Sequence, residues 1–215
     1  MQHKRSSDKI HRVTFSEDKL TGVLLLRNFF SYDECDQILK DSAQWKSGPA
    51  SIYTDSRKQE DHKNTAHIRK GTVHHRPSSD PRDYVNDILD QAVEQYCTLH
   101  SHPPILFDDK RYDIEIAEYS DYQDHFDWHQ DHRVDGAHLK MFGTRMRKIS
   151  MSLILSDEGS GCNLQFDLGK NKNYTPGLYK GDIILFPSYV SHRVTPLQSG
   201  ERKALIVWAC GDFWK

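Results

Sequence analysis

Apolar positions along this chain follow two regimes. In the first half they recur at helical spacing, and in the second they gather into short β-rich runs. Gly22-Val-Leu-Leu-Leu-Arg27 is a continuous apolar run too short for a helix and reads as a buried strand. Ser31-Tyr-Asp-Glu34 follows with capping-box spacing, in which a hydroxyl and a carboxylate satisfy the free amides of a first helical turn. Cys35, Ile38, Leu39 and Ala43 then form one stripe, which predicts a helix ending near Trp45. Asp80 before Pro81 marks a second helix start, because proline is pre-shaped for the first helical position. Tyr84, Val85, Ile88, Leu89, Ala92, Val93 and Tyr96 keep one face apolar up to about Leu99. Both stripes read as core. The stretch Ser47–His75 is polar and rich in breakers, with a strand expected around Thr65–Arg69, and the polar N-terminal segment is expected to be loose.

After Pro103-Pro104 the pattern changes. Tyr112–Tyr119, Lys148–Leu155, Asn163–Phe166, Asp182–Pro187, His192–Thr195 and Ala204–Cys210 are dense in β-branched and aromatic residues, and Gly- and Asn-rich punctuation separates several of them. Short strands without intervening helices predict an antiparallel sandwich or barrel. The 215 residues are expected to form a single domain, 1–215, with 1–105 a helical support carrying a short strand and 106–215 the β core.

Composition narrows the function classes. A formal net charge of -2 gives no basic field, so nucleic acid and anionic membranes are not expected partners. The four cysteines, Cys35, Cys97, Cys162 and Cys210, lie far apart with no CxxC, which argues against a zinc knuckle or a disulfide framework. The opening MQHKRSSDKIHRVTF lacks the apolar region of a secretory signal, and no run is long enough to span a membrane. The chain reads as soluble and cytoplasmic.

The thirteen histidines carry the candidate chemistry. Tyr119-Ser-Asp-Tyr-Gln-Asp-His-Phe-Asp-Trp-His-Gln-Asp131 contains two His-x-Asp steps, His125/Asp127 and His129/Asp131. On an extended strand, residues i and i+2 project from one face, so either step could offer an imidazole and a carboxylate to one ion. His192, after the hydrophobic strand Asp182–Pro187, is placed to add a third ligand. Two histidines and one carboxylate on one side of an ion form the facial triad of non-haem Fe(II) chemistry, with positions left open for other ligands. Arg202 follows at the start of an apolar strand, where a guanidinium can clamp a carboxylate in two parallel hydrogen bonds.

With these residues in this order, the stretch from about Tyr112 to Trp214 resembles the 2-oxoglutarate- and Fe(II)-dependent dioxygenases, in their prolyl-4-hydroxylase-like branch. The residues that carry the resemblance are Tyr119, Phe126-Asp-Trp-His-Gln-Asp131, Arg147–Ser156, Asn163-Leu-Gln-Phe166, Gly181–Ser188, His192–Pro196, Gly200-Glu-Arg202 and Trp208. The resemblance implies a double-stranded β-helix core of jelly-roll or cupin-like type. It also implies Fe(II) as metal, 2-oxoglutarate as cosubstrate, O₂ as oxidant and ascorbate as an optional reductant. The family's aromatic three residues before the metal histidine and tyrosine about ten before it fit His129 with Phe126 and Tyr119, whereas His125 has Tyr122 and Glu115 there. The resemblance therefore implies His129, Asp131 and His192 as iron ligands, with Arg202 and Tyr119 holding the far carboxylate of 2-oxoglutarate. His125 is then a neighbour, at the mouth of the site or hydrogen-bonded beside the ligands.

Two features depart from the family: Cys162-Asn163 stands where Gly-Gly is common, and a second cosubstrate tyrosine is replaced near Ile154. The implied reaction is hydroxylation of an unactivated C–H with release of succinate and CO₂. A peptidyl proline or another amino-acid residue is the favoured substrate, and a free amino acid or small metabolite the alternative. Asp131 speaks against a halogenating relative, and Trp208 stands where a nucleic-acid demethylase would carry a second arginine. Outside this class stand a zinc hydrolase, for which no HExxH or general base is evident, and a non-catalytic β-barrel binding module. The segment His132–Arg147 is read as a lid with Gly136 and Gly143 as hinges, or equally as a solvated loop, and the run Arg145–Lys148 as a solvated strand edge.

Overall fold

The computed structural model describes residues 10–13, 22–52, 65–77, 83–99, 112–132, 145–156, 158–167, 169 and 173–212. In chain order its elements are Ile10–Val13 (β1), Val23–Leu26 (β2), Tyr32–Ser42 (α1), Lys46–Pro49 (β3), Arg69–Lys70 (β4), Thr72–His75 (β5) and Asp83–Leu99 (α2). They continue with Tyr112–Tyr119 (β6), His125–His129 (β7), Arg145–Ser156 (β8), Ser160–Gly161 (β9), Leu164–Asp167 (β10) and Asn173–Tyr174 (β11). Ile183–Pro187 (β12), His192–Val194 (β13), Leu197–Ser199 (β14) and Arg202–Asp212 (β15) complete the set.

An eight-stranded sheet, in the order β1-β2-β12-β8-β15-β6-β5-β3, faces a five-stranded sheet, β11-β10-β13-β7-β4, with β14-β9 as a small ladder beside them. The strand pairings are antiparallel. The central strands of the large sheet are buried on both faces. Along β8, Ile149, Met151, Leu153 and Leu155 pack with Cys35 and Ile38 of α1 and with Val85, Leu89 and Tyr96 of α2. The opposite face, with Ala117, Tyr119, Ile184 and Phe186, meets Leu164, Phe166 and Val194 of the small sheet. Period-two alternation thus supplies two cores from one sheet, and the site lies in the second, between the sheets.

Local chemistry sets the ends of the elements. The Ser31 hydroxyl accepts from the Glu34 amide and the Glu34 carboxylate accepts from the Ser31 amide, completing the expected box. The α1 stripe departs from expectation at Ala43, which is the exposed C-cap, while Trp45 beyond the helix is buried. On α2 the expected stripe is buried except for Tyr84, whose hydroxyl donates to Asp41 at 3.1 Å. The helix start at Asp80-Pro81 lies outside the described residues.

The N-terminal half contributes more strands than its sequence predicts. β1 pairs along its whole length with β2, so this part of the N-terminal segment is ordered by its partner rather than loose. β3, whose Lys-Ser-Gly-Pro has no apolar pattern, pairs with β5 as an edge strand, where proline's missing donor is tolerated. Residues 65–68 form a turn and the strand begins only at Arg69. The boundary near 105 is therefore no layer boundary: strands from the N-terminal half complete both sheets.

Gly181 closes the turn before β12 at φ +88°, and a Cβ there would meet the Phe30 carbonyl oxygen at 2.4 Å. Its own carbonyl accepts from the Phe30 amide at 3.0 Å, tying α1's lead-in to the central sheet. Gly181→Ala is expected to lower unfolding stability by about 1–3 kcal/mol, because the strained conformation and the contact add. Chemical denaturation measures the loss, and a stability within error of the parent would contradict it. Cys162, in the position where the family commonly carries glycine, holds φ +47°.

Candidate metal centre

Strand pairing brings the two candidate histidines together. His129 ends β7 and His192 opens β13, and the two are direct cross-strand partners, with ring centroids 4.2 Å apart. Asp131 lies in a bend just beyond β7 rather than on the strand. The Asp131 and His132 amides both donate to the Ser188 carbonyl, each at 2.9 Å, which docks this bend on the turn between β12 and β13. The Asp131 carboxylate reaches both imidazoles: Oδ1 is 3.7 Å from His129 Nε2 and Oδ2 is 3.5 Å from His192 Nε2. The ligand atoms of the three residues all lie within 4.8 Å of one another.

Each ring is oriented by its other nitrogen. His129 Nδ1 donates to the Asp127 carbonyl at 2.7 Å and His192 Nδ1 to the Val190 carbonyl at 2.9 Å. That tautomer leaves both Nε2 lone pairs facing Asp131, the arrangement a metal requires. Burial, reinforced by neighbouring His192, pushes His129 down to about 3, so it stays neutral at ordinary pH. Burial works against the Asp131 anion, yet the groups facing it, the two imidazoles first and then Arg147 and the Ser150 hydrogen bond, outweigh it and lower the carboxyl's pKa. Two imidazoles presenting Nε2 and one carboxylate fit a hard divalent cation with positions to spare.

A hydroxyl pair fixes the carboxylate. Ser150 Oγ on β8 donates to Asp131 Oδ2 at 2.6 Å and lies 2.9 Å from Ser188 Oγ. Since the single Ser150 proton goes to the carboxylate, Ser188 is the donor of the second bond. Ser150→Ala is expected to weaken metal binding about tenfold, the usual effect of removing such a support. Competition with a chromogenic chelator measures it, and unchanged affinity would contradict it.

The candidate cosubstrate residues sit deeper in the same pocket. Arg202, at the first position of β15, and Tyr119, at the last of β6, are cross-strand partners, 8% and 4% exposed. Burial pushes the Tyr119 phenol up to about 12 despite the Arg69 and Arg202 guanidiniums, so it is a hydrogen-bond donor at ordinary pH. Both line one pocket together with His129, Asp131 and His192. This buried guanidinium, a phenol and two imidazoles suit an anionic cosubstrate bridging clamp and metal.

An outer cleft opens from the metal centre. It is lined by Trp128, Trp208, Phe126, Pro49 and Ile52, with Arg147 at its edge. Arg147 is no simple solvated edge residue: its guanidinium carbon is 3.5 Å from the Trp208 ring centroid. The buried Trp208 Nε1 has no hydrogen-bond partner among the described residues. His125 is turned away. Its Nδ1 lies 2.7 Å from the Gln123 carbonyl oxygen and its Nε2 3.2 Å from that of His67, so it ties β7 to the 65–68 turn. Of the expected lid, residues 133–144 lie outside the described residues.

Sequence reasoning missed Arg69 and Glu115. They form an ion pair, Nη2 to Oε1 at 2.8 Å, on the wall shared by the inner pocket and the outer cleft. Burial disfavours the Arg69 cation, but Glu115 prevails and raises its pKa. Arg69 ends the segment expected as a strand, and nothing local in the sequence says that it faces Phe126.

Two antiparallel sheets enclosing two histidines and one carboxylate, in a pocket that a buried arginine also lines, form a β-sandwich whose side chains fit a metal of facial-triad type. The family model described as the 2OG-Fe(II) oxygenase superfamily matches residues 114–210, a span that contains all three metal-ligand candidates, Tyr119 and Arg202. Over this span, just under half of the chain, the protein is similar to the Fe(II)- and 2-oxoglutarate-dependent dioxygenases. Among solved structures it is similar to a prolyl-4-hydroxylase from Pseudomonas putida (TM-score 0.61, 16% identity, covering 89% of this chain and 93% of that one). It is similar to a prolyl hydroxylase from Trichoplax adhaerens in complex with a hypoxia inducible factor oxygen degradation domain peptide fragment (TM-score 0.61, 16% identity, 87% and 82% covered). It is also similar to the viral collagen prolyl hydroxylase of Paramecium Bursaria Chlorella virus-1 in its 2OG complex (TM-score 0.53, 16% identity, 88% and 96% covered). At this identity the likeness is one of fold. No curated protein matches the chain in sequence. Among the described residues, no helix is long and apolar enough to cross a membrane.

Proposed function

We propose that His129, Asp131 and His192 hold the Fe(II), that Arg202 and Tyr119 hold the far carboxylate of 2-oxoglutarate, and that the enzyme hydroxylates a C–H of an amino-acid residue in a peptide, proline first. The observation that carries this reading is the convergence of the His129, Asp131 and His192 ligand atoms within 4.8 Å, in the pocket that Arg202 and Tyr119 line. Iron and 2-oxoglutarate together activate O₂ and supply the oxidising equivalent, with succinate and CO₂ as the cosubstrate's products. The protein's share is geometric. Hydrogen bonds to Asp127 and Val190 aim the imidazoles, Ser150 aims the carboxylate, and the buried guanidinium sets the register of the cosubstrate. Tyr119 adds a neutral donor that Arg202 alone cannot replace.

For the substrate, support comes from the outer cleft, whose tryptophans and proline offer flat apolar walls to a ring or an aliphatic side chain. The Trp208 N–H, without an acceptor among the described residues, suits a backbone carbonyl. The relative from Trichoplax adhaerens carries a peptide in its complex. A second reading, hydroxylation of a free amino acid or small metabolite, is favoured by the Arg69–Glu115 pair, which offers both signs of charge to a zwitterion.

The deciding experiment incubates the Fe(II)-loaded enzyme and 2-oxoglutarate with proline-containing peptides and, separately, with free amino acids. Mass spectrometry follows gain of one oxygen atom, and succinate release is measured in parallel. Oxygen gain confined to peptides supports the first reading and gain confined to free amino acids the second. Tight zinc binding with hydrolysis and no succinate would overturn both.

A further inference from the structure

We propose that Arg69 is a positioning residue for the metal ligand His129, acting through a three-layer stack. The Arg69 guanidinium carbon lies 4.6 Å from the Phe126 ring centroid, and that ring lies nearly parallel to His129, centroids 3.5 Å apart at 12°. Strand register builds the stack: Arg69 of β4 is the cross-strand partner of Phe126 on β7, the strand that ends in His129. Glu115 on β6 anchors the guanidinium at 2.8 Å, both side chains being largely buried, and Arg69 Nη1 donates to the Ser51 carbonyl at 3.4 Å.

The two histidines differ in what steadies them. His192 is 5% exposed and is flanked by the rings of Phe186 and Phe166, with centroids at 4.7 and 6.3 Å. His129, by contrast, lines the outer cleft together with Phe126. Its Nδ1 hydrogen bond fixes the tautomer and one in-plane direction but leaves the ring able to tilt about that bond. Phe126 lying flat on the ring removes the tilt. Phe126 lines the same cleft, and the planar cation over it keeps it from swinging outward.

A buried ion pair is a poor stabiliser, since desolvation offsets most of its attraction. Placement beside a cation site makes Arg69 alone more unfavourable still. Glu115 cancels that charge, so the pair contributes a flat, anchored surface with no net field at the metal. The inference rests on the reading that His129 is a ligand.

The test uses the full chain with Co(II), whose visible spectrum reports ligand geometry, and measures affinity by chelator competition. Arg69→Met with Glu115→Gln exchanges a neutral pair for a neutral pair of similar bulk. Affinity is expected to fall about tenfold, with an altered Co(II) spectrum. Phe126→Leu should cause a comparable loss, and the triple variant should be no worse than either, because one stack is broken once. Arg69→Lys keeps the charge pair but not the flat face, and should remain impaired; it probes the same stack if the double variant fails to fold. Parental affinity and spectrum in these variants, or additive losses in the triple, would overturn the stack. His129→Ala separates the two claims. If it still binds Co(II) as the parent does, the ligand assignment fails; if it loses Co(II) while the Arg69 variants do not, only the positioning role fails.

Discussion

Asp131→Ala is expected to leave a folded protein that neither retains ferrous ion nor releases succinate. Asp131 is the only carboxylate among the three proposed ligands, and its oxygens lie 3.7 Å from His129 Nε2 and 3.5 Å from His192 Nε2. Without it the ion's charge is buried unneutralised, at a cost of about 3–5 kcal/mol, the range seen when one partner of a buried charge pair is removed. That corresponds to roughly two to four orders of magnitude in metal affinity at about 1.4 kcal/mol per decade. Asp131→Asn, which keeps the shape and loses the charge, should resemble the alanine variant. His125→Ala, at the other His-x-Asp step, should keep its iron, since that ring is engaged with the Gln123 and His67 carbonyls. Metal content after desalting and anaerobic titration measures both. Full iron in Asp131→Ala, or its loss in His125→Ala, would reverse the choice between the two steps.

Arg202→Ala is the second large effect. A buried guanidinium facing a carboxylate makes a paired, charge-assisted contact, and truncating one partner of such a pair costs about 3 kcal/mol, roughly two orders of magnitude in cosubstrate affinity. The 2-oxoglutarate concentration giving half-maximal succinate release should rise accordingly, while iron binding in the absence of cosubstrate stays near the parent value. Arg202→Lys should fall between, because an ammonium keeps the charge but not the two-pronged geometry. Tyr119→Phe should cost less, about 1 kcal/mol for one neutral donor. An unchanged 2-oxoglutarate requirement in Arg202→Ala would place the clamp elsewhere.

The parts of this site legible in the sequence are those that depend on local pattern. Tyr112–Tyr119 announces its strand by composition, and the structure gives it those bounds. The order of His129, His192 and Arg202 follows from positions at the ends of β7, β13 and β15, while Asp131 lies in the bend just beyond β7. The capping box at Ser31 is readable because its partners are three residues apart. What escaped depends on pairing between distant segments. β3 has no apolar alternation and becomes a strand only because β5 lies beside it. β1 is ordered by β2 in the same way. Arg69 and Glu115 are 46 residues apart in sequence and meet only because β4 borders β7 while β5 borders β6. Ser188 shows the same limit: its carbonyl and hydroxyl both serve Asp131, one directly and one through Ser150, yet it reads as an ordinary turn residue. Family resemblance pointed to His129, Asp131, His192 and Arg202, while the residues that support them came only from tertiary pairing.

Anomalous diffraction from crystals of the protein grown anaerobically with Fe(II) and 2-oxoglutarate tests the central claim most directly. The account predicts one iron peak within bonding distance of His129 Nε2, an Asp131 oxygen and His192 Nε2, with the far carboxylate of 2-oxoglutarate against Arg202. An iron peak at any other cluster, or a cosubstrate whose carboxylate lies away from Arg202, would contradict it.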